Sequence, residues 1–178
     1  MVRDFKRLLI YSLIPTEIDQ YVQEMSREFG IEVIPVESPE IVVRESDALV
    51  TTTPTHKPYL KADWVHPGMH ITCMGSDSEE KQELHADVFG RANRVFCDRK
   101  SQCFRLGELH HALEADIISP DDNITELGEL TAGLKPGRQR DDEITICDLT
   151  GVGVQDTQIA RLAYQRAQAR GLGVSFGD

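Results

Sequence analysis

The segment Met74-Gly75-Ser76-Asp77 has residue types that point directly to chemistry. It closes a predicted strand over residues 69–74, and Lys81 lies four residues beyond Asp77. Glycine lets a backbone approach a ligand closely. A carboxylate beside it can act as a general acid or base, or can pair with the amine of an amino acid substrate. The structural alternative is that Ser76 or Asp77 only caps a turn or a short helix.

Two other segments follow predicted strands and carry small or hydroxylated residues. Thr51-Thr52-Thr53 ends the strand predicted over 48–53. Its hydroxyls could form hydrogen bonds with a ribose or a nicotinamide. The alternative is that the threonines are present only because threonine has a high propensity for strands. Gly151-Val152-Gly153 separates the last predicted strand from the closing helix. Such a turn can receive an anion or a cofactor, or it can be an ordinary tight turn.

Glu108, His110, His111 and Glu114 are the candidate metal ligands. Adjacent helical residues point about 100° apart, so we do not expect His110 and His111 to chelate one ion together. His110 and Glu114 stand at i and i+4 and could share an ion, but no third ligand has a recognisable spacing. The alternative is a solvated helix face or an interface, and no metal site is predicted.

Short β-branched runs alternate with helical patterns along the chain. This alternation predicts an α/β fold with a mainly parallel sheet covered on both faces, whose ligands bind beyond the carboxyl ends of the strands. A capping box from Thr16 to Asp19 is expected to open the first helix. Strands are predicted over 7–12, 31–36, 48–53, 69–74, 94–98 and 143–149, and helices from about Thr16 to Gly30, over 38–45, 101–115 and 126–133, and from Asp156 or Thr157 to Gly171.

The chain has 178 residues and a formal net charge of −11 at pH 7. This length suits one domain, and the acidic balance argues against nucleic acids and membrane surfaces as partners. No apolar run approaches the roughly 20 residues that cross a bilayer. The four cysteines form no Cys-x-x-Cys pair, and most of them fall within predicted strands. We therefore expect reduced thiols and a cytoplasmic protein.

Two long segments resemble the ornithine cyclodeaminase/mu-crystallin family. They are DALVTTTPTHKPYLKADWVHPGMHITCMGSDSEEKQELHADVF, which is residues 47–89, and EITICDLTGVGVQD, which is residues 143–156. The likeness extends from about Val2 to Gly173. Together with the second segment, CDRKSQCFRLGELHHALEA over residues 97–115 is most similar to the branch found in ectoine-utilization clusters.

The resemblance implies a Rossmann-like domain that binds NAD or NADP. It also implies hydride transfer between the cofactor and the α-carbon of a small amino acid or cyclic imine, and a homodimer for full-length members. On the family's motifs, Asp77 falls on the catalytic carboxylate and Thr150 on a substrate contact. Leu149 departs from the serine of ornithine cyclodeaminase, which argues against ornithine as the substrate. The expected cofactor-binding residues are Tyr11, Ser12, Thr52, Thr53, Met74, Gly75, Ser76, Lys81 and Leu149.

The family pattern also includes parts that this sequence does not display. No Gly-x-Gly-x-x-Gly or Gly-x-Gly-x-x-Ala motif opens the chain. We therefore expect a partial NAD(P)-binding domain over residues 1–173, a flexible tail over 174–178, and weak or absent dinucleotide binding by this chain. Tyr11 and Ser12 offer hydroxyls but no carboxylate to a ribose, so these residues do not distinguish NAD from NADP as the cofactor. The alternative function is a binding or scaffold module without catalysis.

The strand order yields a further expectation. In the Rossmann order 3-2-1-4-5-6 the first strand lies in the middle, and the family match makes residues 7–12 the second strand and residues 48–53 the fourth. Because the first strand and its Gly-rich turn are not found in this sequence, we expect these two strands to be separated by a gap or to pair with each other in an unusual way. Four apolar side chains should then be less covered than core residues: Leu8, Ile10, Leu49 and Val50.

Overall fold

The computed structural model describes residues 4–174 and residue 176, and the seven strands found there form two parallel sheets. β1 (Arg7–Ile10) pairs with β2 (Glu32–Pro35). The second sheet has the order β3-β4-β7-β5-β6. The α/β, Rossmann-like prediction is thereby confirmed. The five strands of this sheet are β3 (Ala48–Thr51), β4 (His70–Cys73), β5 (Arg94–Cys97), β6 (Ile124–Glu126) and β7 (Thr145–Asp148).

β1 and β3 lie in different sheets, as the argument from strand order predicts. Val50 is 58% exposed, and Leu8 and Ile10 are only partly buried. The prediction that Leu49 would be poorly buried is wrong, because Leu49 is 6% exposed and belongs to the main core. Successive strand residues point to opposite faces, so Leu49 faces the packed side of β3 and Val50 faces the open side.

β7 is the central strand of the larger sheet, and all four of its residues are buried. It pairs with β4 on one side and with β5 on the other. The last strand of the chain therefore lies between two earlier ones. The structure also contains β6, which the sequence analysis missed because Ile124-Thr125-Glu126 is too short to show a periodic pattern.

The described residues contain six α-helices, of which five lie between strands and the sixth follows β7. The first, α1, begins at Pro15, one residue before the predicted start, and its N-cap, Ile14, makes no side-chain hydrogen bond. The predicted capping box from Thr16 to Asp19 is therefore wrong. Proline is well suited to a first helical position, where the N–H has no helical partner. The helices are α1 (Pro15–Phe29), α2 (Pro39–Glu45), α3 (Lys100–Leu106), α4 (Glu108–Glu114), α5 (Leu127–Thr131) and α6 (Gly153–Ala169).

Gly107 divides the helix predicted over 101–115 into α3 and α4. A Cβ atom at this position would lie 2.2 Å from Asp148 Oδ2, at the end of β7. No side chain larger than hydrogen fits there without a shift of the carboxyl group. The close approach of this turn to the sheet thus explains why the helix breaks at a glycine.

α6 begins at Gly153, before the predicted start at Asp156 or Thr157, and none of its residues is buried. Ile159 and Leu162, on its predicted apolar face, are 66% and 41% exposed. This helix consequently contributes little to the core. No helix in the described part of the chain is long and apolar enough to cross a membrane.

The core encloses carboxyl groups as well as apolar side chains. Glu108 is 1% exposed and Asp148 is fully buried. Burial raises the pKa of Glu108 to about 8 and the pKa of Asp148 to about 7, and the negative charge of Asp148 further raises the pKa of Glu108. Among the described residues, Asp148 Oδ1 has no hydrogen-bond partner. Both groups therefore hold protons at pH values where ordinary carboxyl groups have lost them.

These two groups predict how stability depends on pH. In the unfolded chain their pKa values are near 4.5 and 3.8. Between about pH 4 and pH 8 these two groups therefore bind more protons in the folded protein than in the unfolded chain, and over the upper part of this range, from about 6.5 to 8, the free energy of unfolding should fall as the pH rises. Burial lowers the pKa of His70, so the contribution of this group to the free energy of unfolding rises with pH, but only at pH values up to about its ordinary pKa of 6.5.

Urea unfolding at the two ends of this pH window measures the effect. Asp148→Asn removes one titrating group and one charge that raises the pKa of Glu108, so it should reduce the fall in stability between the two pH values. Asp121→Asn, a change at an exposed position, serves as the control and should leave the fall unchanged. A wild-type stability that is constant or rises over this window would contradict the assigned burial of these groups.

The open strands predict association of the chain. β1 and β3 each have one strand neighbour, and an unpaired edge invites pairing with another molecule. We expect dimers or larger species in size-exclusion chromatography with light scattering. Val50→Lys should reduce this association, whereas Leu134→Lys, at a residue that is 76% exposed and outside both sheets, should not. A compact monomer at all concentrations would show that these edges are protected.

Candidate functional site

Three of the predicted site segments meet at one edge of the larger sheet. β3, β4 and β7 are parallel neighbours, so their carboxyl ends lie side by side. The pairing continues one residue past the strands: Met74 N–H donates to Thr51 O at 2.9 Å, and Leu149 N–H donates to Cys73 O at 3.0 Å. The segments after these three strands therefore begin in register, as a ligand site at this edge requires.

The buried carboxylate of Glu83 ties the first two segments together. Its Oε2 accepts from Thr51 Oγ1 at 2.6 Å and from Gly75 N–H at 3.0 Å. Its Oε1 accepts from Thr53 N–H at 2.6 Å and from Thr53 Oγ1 at 2.7 Å. One side chain thus holds the ends of β3 and β4 at a fixed separation. The sequence analysis missed Glu83, and no local pattern distinguishes it from the other acidic residues of its segment.

Gly75 is required by this arrangement for a reason other than the one predicted. A Cβ atom at position 75 would lie 2.2 Å from Thr53 O and 2.5 Å from the carboxyl carbon of Glu83. From the sequence, this glycine was expected to allow close approach of a ligand. The structure shows close approach of the protein's own backbone and of Glu83, and the cofactor contact at Gly75 stays a prediction.

Asp77 and Lys81 form an ion pair at the surface of the site. Lys81 Nζ lies 2.6 Å from Asp77 Oδ1, and the Asp77 side chain is 56% exposed. The hydrogen bond from Lys81 lowers the pKa of Asp77 below its ordinary value. The carboxylate is therefore charged at neutral pH, when it can accept a proton or stabilise a cation beside it. The turn between them, in which Lys81 N–H donates to Ser78 O at 3.2 Å, brings the two predicted residues into direct contact.

Ser76 lies beside Asp77 but faces the interior. It is 1% exposed, and its hydroxyl donates to the carbonyl of Lys81. The same carbonyl accepts a hydrogen bond from His111 Nε2 at 2.8 Å. The side chain of Ser76 therefore supports the turn that carries Lys81, whereas Met74, which is 51% exposed, faces solvent.

The predicted threonine contacts also divide into supporting and accessible groups. Thr53 directs both its N–H and its hydroxyl to Glu83. Thr52 is exposed, and it is the threonine of this run whose side chain reaches the surface. Thr52, Met74 and Asp77 are thus the accessible side chains where β3 and β4 end.

Asp98 organises the segment after β7. Its Oδ2 accepts from the N–H of Thr150 at 3.0 Å and from the N–H of Gly151 at 2.7 Å. Gln102 donates to the hydroxyl of Thr150 at 2.9 Å and to Gly151 O at 2.6 Å. Thr150 and Leu149 are both partly buried. Asp98 therefore sets the position of the predicted substrate contact, and it too was missed in the sequence analysis.

Tyr11 and Ser12 are not brought to this edge by strand pairing. They follow β1, in the smaller sheet, and both are partly buried. The hydroxyl of Ser12 accepts a hydrogen bond from Ile14 N–H at 3.1 Å. The structure thus places the two predicted ribose contacts on a different sheet from the residues at the ends of β3, β4 and β7.

Relatives of known sequence and structure extend this description. An uncharacterized cyclodeaminase, y4tK, of Sinorhizobium fredii is 43% identical over 176 residues, which are 99% of this chain and 53% of that protein. The structure of Thermococcus litoralis Δ1-pyrroline-2-carboxylate reductase with NADH and L-proline superimposes with a TM-score of 0.93 at 28% identity, over 98% of this chain and 54% of that one. The structure of an archaeal alanine dehydrogenase dimer with bound NAD superimposes with a TM-score of 0.90 at 34% identity, and the match covers 99% of this chain and 54% of that one.

The chain therefore spans about half the length of the relatives it matches. The family model for ornithine cyclodeaminase/mu-crystallin proteins matches residues 1–171, which include both strands of the smaller sheet, all of the larger sheet and every predicted site residue. The chain belongs to the ornithine cyclodeaminase/mu-crystallin family.

Proposed function

We propose that this chain is a portion of the dinucleotide-binding domain of an NAD(P)-dependent enzyme that transfers a hydride at the α-carbon of a small amino acid or cyclic imine. The observation that carries the proposal is the ion pair of Asp77 and Lys81 at the carboxyl edge of the sheet. It provides an accessible carboxylate that is charged at neutral pH, at the edge where open parallel sheets bind ligands. The NAD and NADH in the solved relatives support the choice of cofactor.

The residues at this edge fit a flat, partly apolar group with polar substituents. Thr52 supplies an exposed hydroxyl, and Met74 supplies an exposed thioether. We place the nicotinamide end of the cofactor against these two residues and Leu149, and the ribose of its adenosine half near Tyr11 and Ser12. A bound NAD(P) would supply the acceptor or donor of the hydride. Gly75, Ser76 and Thr53 would contribute by holding this edge in place.

Asp77 would handle the charge and the proton of the substrate. When a hydride leaves the α-carbon of a neutral amine, the carbon–nitrogen unit becomes a positively charged iminium group. The Asp77 carboxylate can stabilise this cation and then accept a proton from its nitrogen, which leaves a neutral imine. In the reductive direction the proton moves from Asp77 to the imine nitrogen before the hydride arrives. Lys81 keeps the carboxylate charged before the substrate binds.

The same geometry supports the proposed substrate class. A carboxylate that faces a developing cation suits an amine or imine, and we propose Thr150 as a further contact to the substrate. Leu149 supplies an apolar side chain at the end of β7. This favours a small substrate over one with a second amine. We further propose that the protein acts in amino acid catabolism of the ectoine type, in the cytoplasm, and as a homodimer when full length, like the alanine dehydrogenase relative.

Asp77→Asn tests the proposal in a version of the protein that spans the full length of its relatives. The amide keeps the size of the side chain but cannot carry the negative charge or accept the proton. Turnover with L-alanine, L-ornithine or Δ1-pyrroline-2-carboxylate, whichever is accepted, should fall by about 10²–10⁴-fold. The dissociation constant for NADH, measured by fluorescence, should change little, because Asp77 faces the substrate.

Glu79→Gln is the matched control, because it removes an exposed carboxylate two residues from Asp77. It should leave turnover near the wild-type value. If the full-length Asp77→Asn variant binds NADH and turns over at the wild-type rate, Asp77 has no role in the chemistry. A full-length protein that binds NADH but converts none of these substrates would favour the binding module over the enzyme.

A further inference from the structure

Helix α4 brings three metal-ligating side chains together. One ligand atom from each of His110, His111 and Glu114 lies within 4.8 Å of the other two. The rings of His110 and His111 are edge-to-face, with centroids 5.0 Å apart. The expectation that adjacent histidines cannot reach one ion is therefore not met, since rotation about the side-chain bonds turns both rings to the same side.

Each imidazole is oriented by a backbone carbonyl outside the cluster. His110 Nδ1 lies 3.3 Å from Phe104 O, and His111 Nε2 lies 2.8 Å from Lys81 O. A carbonyl only accepts, so in each ring the nitrogen at the carbonyl is the donor. The other nitrogen of a neutral ring then carries a free lone pair. Metal-binding histidines are held in this way, with one nitrogen on a hydrogen-bond acceptor and the other on the ion.

We propose that His110, His111 and Glu114 form a binding site for a divalent transition ion of the zinc class. Two imidazole nitrogens and one carboxylate oxygen suit such ions better than calcium or magnesium, which prefer oxygen ligands alone. Three protein ligands leave the fourth position of a tetrahedral ion to water. The net charge of −11 favours cations over anions at the surface.

The distances are compatible with an ion after small side-chain movements. Ligand atoms of a tetrahedral zinc ion stand about 3.4 Å apart, given bonds of about 2.1 Å. His110 Nε2 and Glu114 Oε2 are already 3.5 Å apart. The Glu114 side chain is 65% exposed, so it can close on the ion without disturbing the core. His111 would keep its bond to Lys81 O, since that bond uses its other nitrogen.

The chain contains its own control for a simple histidine–glutamate pair. His56 and Glu80 approach to 4.0 Å at the surface, with side chains that are 59% and 85% exposed. His56 Nδ1 also contacts a carbonyl, Glu80 O, at 3.1 Å. In the described residues, no third ligand joins this pair. A change at His56 therefore tests whether a surface histidine beside a glutamate is enough to hold the ion.

Zinc titration calorimetry on this chain tests the proposal. We expect one ion per chain. Loss of a hydrogen-bond partner behind a metal ligand typically costs about 10–100-fold in affinity, so loss of a ligand in His110→Ala or His111→Ala should cost at least about 100-fold. Glu114→Gln, at an exposed position that does not disturb folding, should weaken binding by at least about 10-fold. His56→Ala should leave the affinity unchanged.

Cobalt substitution identifies the ligands independently. The four buried cysteines are the competing ligands, and a thiolate ligand gives an intense near-ultraviolet charge-transfer band with cobalt. The proposal predicts the visible bands of a nitrogen and oxygen site without that thiolate band, and their loss in Glu114→Gln. A thiolate band, no saturable zinc binding, or binding that His56→Ala weakens as much as His110→Ala would each overturn the site.

Discussion

The carboxyl edge of the larger sheet depends on one buried side chain, that of Glu83. Its two oxygens accept four hydrogen bonds at 2.6–3.0 Å from Thr51, Thr53 and Gly75. Hydrogen bonds to a charged group contribute about 1.5–3 kcal/mol each, and a buried donor left without a partner costs about 1–3 kcal/mol. Loss of this carboxylate would leave several such donors unpaired at once. The positions of Thr52 and Met74, between these anchored residues, follow from the same contacts.

Glu83 is itself held by a second carboxyl group. Glu108 Oε1 accepts from Glu83 N–H at 2.6 Å, and Glu108 Oε2 accepts from Leu84 N–H at 3.2 Å. Asp148, at the end of β7, accepts from Leu109 N–H at 3.0 Å. Helix α4 is thus tied to the site through Glu108 and to the sheet through Asp148. The same helix carries His111, which contacts the carbonyl of Lys81, so one short element links the core carboxyl groups to the turn of Lys81.

The sequence predicted the features that are local or that follow from strand pairing. Alternating strands and helices predicted which segments would meet at the carboxyl edge, whereas the contact between Asp77 and Lys81 was not predicted, because it depends on the turn between them. Glu83 escaped prediction because its partners Thr51 and Thr53 are 32 and 30 residues away and its own neighbours mark no pattern. The side-chain directions of Ser76, Thr53 and His111 were equally out of reach, since they depend on contacts between distant segments.

Amide hydrogen exchange at Thr53 and Gly75 tests the central role of Glu83 most directly. Both amides lie outside the strands, where backbone N–H groups usually exchange quickly. If Glu83 holds them, their exchange in the wild-type chain should be as slow as that of Ile71 within β4. In Glu83→Gln, where one of the two acceptor oxygens is replaced by a donor, their protection should fall while that of Ile146 in β7 persists. Fast exchange of Thr53 and Gly75 in the wild-type chain, or unchanged protection in the variant, would contradict the account.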